Sequence, residues 1–333
     1  MGDIIEEKME EQKLTEKNIE DRKFWYNRVF NLFNIINWSK NRETVFLCGY
    51  SRKHNVRYMN VAIIEILKKM LGIQTRDEIM QNKKAKDPFG FFSEKKNYNV
   101  YCSLGKIDWS KCPVKAFSYS VGDRIKQQKI FREKLVNYMT DFTGAIDFDG
   151  NQDLILMDDG TYKKVDLDIQ DEEQVNRSLK DMKVLIKEFN RYGIKWFCQF
   201  SGTRGFHILW EIPLDISVNQ KVDLTNEMLL EIRKVLDLKT LDGTRYNTRK
   251  VFKTPYSLVT KGDKTRVVLP LDDNQIENFK LEDMEVKKVF YNVKGLKDRG
   301  VIWRNDSDRL TLTKNFKKFM EDFELKIPAI REH

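Results

Sequence analysis

Apolar and polar positions along the chain change period several times, and each change predicts an element. Residues 5–22 are highly charged and helical in composition, which predicts a solvated lead-in helix. "KFWYNRVFNLFNIINW" (23–38) repeats its apolar residues at helical spacing. "TVFLCGY" reads as a short strand, and "NVAIIEILKKMLGI" as an amphipathic helix ending at Gly72. "KNYNVYCSLGKI" predicts a strand and "DRIKQQKIFREKLVNYM" a helix.

The period then shortens to two. "GAIDFD", the turn "GNQ", "DLILM", the turn "DDG" and "TYKKVDLDI" together predict a three-strand meander, because Asp-Gly dipeptides suit hairpin turns. Asp171 is expected to cap a helix running to about Tyr192, with Gly193 closing it. "KWFCQF" and "FHILWEI" predict a hairpin, and "NEMLLEIRKVLDL" a helix. "RKVFKTPYSLV" and "TRVVLPL" are strand-like, and "LTKNFKKFMEDF" is the last helix. No repeat, low-complexity block or Pro/Gly/Ser linker divides the chain. The element order predicts an α+β fold.

Composition narrows the class. The 333 residues are 41% hydrophobic, 12% aromatic and 33% charged, a globular profile. No apolar run approaches the length of a membrane span. The start "MGDIIEEKMEEQKL" has neither a signal core nor the Ser/Thr of a myristoylation motif. An intracellular protein is expected, in cytoplasm or nucleoid, or in the nucleus in a eukaryotic or viral setting, with no membrane partner. The four cysteines fit no common zinc template and read as reduced structural thiols. A zinc site from Cys102, Cys112 and His54 has no spacing to support it. The formal charge of +9 favours a polyanionic partner, nucleic acid being the usual one. There is no Walker-A sequence, hence no helicase motor of that type.

Three features carry chemistry. Two strands hold a D-x-D doublet, Asp147/Asp149 and Asp166/Asp168. Alternate strand residues share a face, so both carboxylates of a doublet point the same way and call for a cation. Mg²⁺ or Mn²⁺ suit such oxygen ligands. The second feature is "SGTRGFH". Gly202 and Gly205 let the backbone turn and approach a ligand, while Ser201, Thr203 and Arg204 offer donors to phosphate oxygens. His207 follows on the outgoing strand. The third is Asp242, followed by Arg245, Arg249, Lys250, Lys253 and Lys261. Each feature alone has a bland reading, as a solvated strand face, an ordinary hairpin or a structural histidine. In this order they match what two-metal phosphoryl or nucleotidyl transfer requires.

"SGTRGFH", preceded by a D-x-D strand and a helix and followed by an acidic third motif, resembles the archaeo-eukaryotic primase superfamily from about Asn99 to Leu271. The resemblance implies an RRM-like catalytic core beside an N-terminal α/β unit. It implies template-directed synthesis of RNA or DNA from NTPs or dNTPs, with two Mg²⁺ or Mn²⁺ ions. Ser201, Arg204 and His207 match the family's nucleotide-phosphate motif, and Asp242 its third metal carboxylate. "KTPYSLVTKG" is similar to the family's R-x-P-x-S-L-H-x-K-x-G segment, with Lys253 in place of the arginine, Val259 in place of the histidine, and Lys261 retained. Arg57 in "NVRYM" resembles an N-terminal nucleotide-contacting arginine.

Two doublets compete for the metal role. Asp166/Asp168 leads straight into the helix and the histidine hairpin, as in the family. Asp147/Asp149 follows "FTGAI", small and apolar, as a buried strand would be, and is the preferred pair. The expected organisation is a helical lead-in (1–40), a catalytic domain (41–271) and a C-terminal extension (272–333). The expected function is a DNA primase or primase-polymerase acting on a single-stranded DNA template. A large primase subunit or replicative helicase would be a further partner. The alternatives are a degenerate primase-fold DNA-binding or replication-initiation module, and a repair or end-joining polymerase of the same superfamily.

Overall fold

The computed structural model describes residues 15–25, 29, 38, 41–48, 60–61, 98–108, 111, 116–117, 136–157, 162–248, 250–296 and 300–329. In chain order the elements are α1 (Glu16–Phe24), β1 (Arg42–Cys48), β2 (Asn60–Val61), β3 (Tyr98–Ile107), β4 (Ala116–Phe117), β5 (Met139–Phe142), β6 (Gly144–Asp149), β7 (Gln152–Leu156) and β8 (Tyr162–Asp166). There follow α2 (Asp171–Tyr192), β9 (Trp196–Phe200), β10 (Gly205–Trp210), α3 (Val218–Leu236), β11 (Val251–Lys253), β12 (Leu258–Lys261), β13 (Lys264–Val267), α4 (Asp273–Glu277), α5 (Val286–Asn292) and α6 (Arg309–Asp322).

The fold is α+β, with small antiparallel sheets and helices. A six-stranded sheet runs β11-β3-β1-β2-β4, with β5 also on β3. A three-stranded sheet runs β6-β10-β9, and β7-β8 and β12-β13 are separate two-stranded hairpins. The two larger sheets meet where β5 runs into β6. There the buried Arg42 donates to the carbonyls of Trp38, Ser103 and Leu104 and to Thr143 Oγ1. Burial pulls its guanidinium down to about 10, yet four acceptors keep the charge tolerable.

The three-stranded sheet is the centre of the core. Phe197, Phe200, Phe206, Ile208 and Trp210 are fully buried, as are Met182, Leu185 and Phe189 of α2. These α2 residues lie at helical spacing, so one stripe of an otherwise charged helix packs inward. Gly193 closes α2 in the left-handed region at φ 64°, as expected of glycine there.

The meander expectation is corrected. β6 pairs with β10, from Gly144↔Trp210 to Gly205↔Asp149, and β7 pairs with β8 alone. The other edge of β6 is taken by residues 240–242, since Asp149 N donates to Thr240 O and Asp242 N to Asp147 O. No free edge remains for β7. Asp171 does not cap α2; the flanking residue is Gln170, and Asp171 pairs with Lys261 and Arg266. α3 starts eight residues before "NEMLL", at the capping box of Ser217 and Gln220. Asn60 and Val61, expected at the head of a helix, form β2; the rest of that stretch, most of 23–38 and residues 123–135 lie outside the described residues.

A Cβ on Gly205 would sit 1.7 Å from the Phe148 carbonyl oxygen. Gly205→Ala is therefore expected to cost about 3 kcal/mol or more by overpacking. Urea unfolding checks it: the midpoint should fall sharply, and a wild-type midpoint would contradict the β6–β10 register.

Candidate active site

The β6–β10 register sets the site. Asp147 is the direct cross-strand partner of His207, and Asp149 of Gly205. Paired residues share a face, so the doublet and the histidine look the same way while Phe148, Phe206 and Ile208 fill the core. His207 Nε2 is 3.5 Å from Asp147 Oδ1. Asp242 is tied to this corner by its backbone, its N–H donating to Asp147 O at 2.8 Å. Thr244 donates from both its backbone N–H and its hydroxyl to Asp242 Oδ1, and Lys164 of β8 reaches the same oxygen at 3.4 Å.

The glycine turn closes tightly, with Ser201 N–H donating to Gly205 O. Gly202 takes φ 92°, and a Cβ there would meet Val259 at 2.6 Å. The Arg204 carbonyl accepts from Ser178 Oγ of α2. Arg204 itself grips Asp149, with Nε 2.7 Å from Oδ1 and Nη2 donating to Oδ2 at 3.1 Å. Lys253 Nζ donates to Ser201 O. Arg266, buried beneath the turn, lies at hydrogen-bond limit from Thr203 O, at 3.5 Å.

Charge is finely set. Burial, then Asp242 and Asp149 beside it, push the Asp147 carboxyl up to about 7, against the pull of Lys250 and Lys253. Burial and the same two lysines push His207 well below its usual value, so its ring is neutral at pH 7. Tyr246, buried near both Asp147 and Asp242, is pushed well above the usual tyrosine range and stays a neutral phenol.

Asp166 and Asp168 are exposed. Asp166 accepts from Gln152 across the β7–β8 hairpin. Lys261 pairs with Asp171 at 2.7 Å. Arg245 is exposed, and Arg57 and Arg249 lie outside the described residues. Of the zinc set, Cys102 is buried and accepts from Thr254 Oγ1, while Cys112 and His54 are outside the described residues. Among the described residues no three His, Cys, Asp or Glu side chains converge as a ready metal group. The three aspartates instead face Arg204, Lys164 and His207. Their donors are all oxygen, and burial first, then the neighbouring Asp242 and Asp149, disfavour charge on Asp147, a cost that a hard divalent cation would relieve.

Sequence reasoning missed Gln199, Lys164, Tyr246 and Arg266. Gln199 had a signal: it is the sole amide in the strand "WFCQF", all of it buried.

No protein-family profile matches the chain, and no curated protein matches it. Among solved structures, the chain is similar to the polymerase domain of Mycobacterium tuberculosis ligase D in complex with DNA, at 10% identity and a TM-score of 0.44, over 85% of this chain and 91% of that one. No helix among the described residues is long and apolar enough to cross a membrane.

The raised Asp147 gives a signed pH dependence. Its carboxyl holds a proton more tightly folded than unfolded. This favours the folded state at acid pH, and the advantage is lost as pH rises from the ordinary 3.8 through about 7. Asp147→Asn never ionises. In chelator-containing buffer its Tm relative to wild type should therefore climb between about pH 4.5 and about pH 8. A constant difference across that range would place Asp147 in an ordinary environment.

Proposed function

We propose that the chain is a metal-dependent nucleotidyltransferase that builds a nucleic-acid strand from nucleoside triphosphates on a single-stranded DNA template, as a primase or primase-polymerase does. The observation that carries this reading is the β6–β10 register, which puts Asp147 and Asp149 on one face beside a neutral histidine and the Gly-Thr-Arg-Gly turn, with the Asp242 backbone hydrogen-bonded to Asp147. Asp147, Asp149 and Asp242 would hold Mg²⁺ or Mn²⁺. When bound, these ions supply Lewis-acid activation of the attacking hydroxyl and neutralise phosphate charge.

The chain's own groups do the rest. Gly202 and Gly205 bring backbone close to the triphosphate, and Ser201 and Thr203 offer it hydroxyl donors. Arg204 exchanges its carboxylate partner for phosphate oxygens, and His207 donates a hydrogen bond from Nε2. Lys253 contributes positive potential from behind the turn. Lys261, engaged with Asp171, and Arg57 are assigned to the wider nucleotide site on the family resemblance. The same resemblance underlies the RRM-like description of the core, residues 41–271 as the catalytic unit, and the lead-in and C-terminal segments as additions to it. Nucleic acid as partner agrees with the net charge of +9.

The test is product analysis with a single-stranded template or a gapped duplex, Mn²⁺ or Mg²⁺, and labelled NTPs or dNTPs. Asp147→Ala and Asp242→Ala are expected to lower incorporation by about 100-fold or more. Asp166→Ala/Asp168→Ala should stay within about threefold of wild type. Full activity in a folded Asp147→Ala protein would overturn the assignment of the doublet. DNA binding without incorporation under any condition would favour a non-catalytic module. Extension confined to the gapped duplex would indicate a repair polymerase.

A further inference from the structure

Gln199 lies directly across from His207, on β9. Its Nε2 is 2.8 Å from the Lys253 carbonyl oxygen and 3.0 Å from His207 Nδ1. A backbone carbonyl only accepts. The Gln199 atom facing it must therefore be the amide NH₂, because an amide oxygen there would repel. That group has two hydrogens, and the second points at Nδ1. A donor facing Nδ1 requires a lone pair on it. The imidazole then carries its one proton on Nε2, the nitrogen 3.5 Å from Asp147 Oδ1.

The arrangement is braced. β11, which supplies the Lys253 carbonyl, is held in register against β3 at Tyr101, Cys102 and Ser103. Phe252 of β11 meets the His207 ring edge-to-face, with centroids 4.7 Å apart. His207 and Gln199 are themselves cross-strand partners on β10 and β9. The Gln199 carbonyl oxygen is buried without a partner among the described residues. Its NH₂ contacts therefore outweigh an unpaired acceptor.

We infer that Gln199 is a positioning residue, which holds His207 as the Nε2–H tautomer and so makes the histidine a hydrogen-bond donor towards the carboxylate-lined site. The use of that donor on a nucleotide phosphate rests on the polymerase reading; the tautomer itself does not. A lone pair at Nε2 would repel a phosphate oxygen, whereas N–H attracts it. Gln199→Met keeps the length and removes the donor. Gln199→Glu replaces it with an acceptor that favours the opposite tautomer.

The test uses the full chain with ¹⁵N-labelled histidine. There are only three histidines, so the His207 signals can be assigned with His207→Asn as a blank. Long-range ¹H–¹⁵N correlation should give a pyrrole-type Nε2 and a pyridine-type Nδ1 in wild type, with mixed tautomers in Gln199→Met and inversion in Gln199→Glu. In the incorporation assay Gln199→Met should raise the nucleotide KM by roughly tenfold, one hydrogen bond's worth, with DNA affinity within about twofold. A pyrrole-type Nδ1 in wild type overturns the inference, and so does an unchanged tautomer in both variants. If the tautomer is as stated but wild type incorporates nothing, the polymerase reading falls and the positioning role stands.

Discussion

The site depends on how closely β6 and β10 approach each other. Six consecutive residue pairs join them without a bulge, and the pairing ends where Gly205 lies over the Phe148 carbonyl, with no room for a side chain. A side chain there would push the strands apart at the very pair that carries Asp149. A slip of one residue would be worse. It would bring Phe148 opposite His207 and turn the carboxylates into the core, because strand side chains alternate faces. The register is thus specified twice, by the glycine at one end and by the buried run of Ile146, Phe148, Phe206 and Ile208 along its length.

Once the register is fixed, the charges follow from what other segments deliver. β6 brings two carboxylates, and the segment hydrogen-bonded along its second edge brings Asp242. The balancing cations come from elsewhere: Lys164 from the β7–β8 hairpin, Arg204 from the turn, Lys250 from just before β11 and Lys253 from its last position. This balance is incomplete at Asp147, which shares its surroundings with a neutral histidine rather than with a paired cation. The consequence is a carboxyl near neutrality beside an imidazole held uncharged. Both groups shed charge, which is the response expected of buried groups whose compensation is absent.

Much of this was legible in the sequence, and the line between legible and not follows the range of the interactions. The doublet on a strand, the hairpin around "SGTRG" and the end of α2 at Gly193 are local, fixed by period and turn chemistry within about a dozen residues. The partner of β6 is not local. A meander is the cheapest topology for three consecutive short strands, but it fails here because residues 240–242 occupy the edge that β7 would need. Asp171 fits an N-cap by type and position, and loses that role to long-range pairing with Lys261 and Arg266. The start of α3 was readable, since Ser217 and Gln220 form a capping box that lies before the most strongly periodic stretch. Gln199 could be flagged as polar in an apolar strand. Its purpose needs the Lys253 carbonyl, more than fifty residues away, to be brought beside it.

Two residues of "KTPYSLVTKG", Lys253 and Val259, show how the glycine turn is supported. Lys253 works from both ends: its carbonyl accepts from Gln199 and its ammonium donates to Ser201 O. The backbone contribution survives any side chain at that position, and the ammonium supplies a compact point charge where a guanidinium would offer a planar fork. Val259 is buried and packs on Gly202, close enough that any side chain at Gly202 would strike it. Valine is acceptor-free and donor-free, so this flank of the turn is held by shape rather than by a polar contact. Lys253 and Val259 thus support the turn from behind, one by charge and backbone, the other by packing. The groups that face the carboxylates are Arg204 and His207.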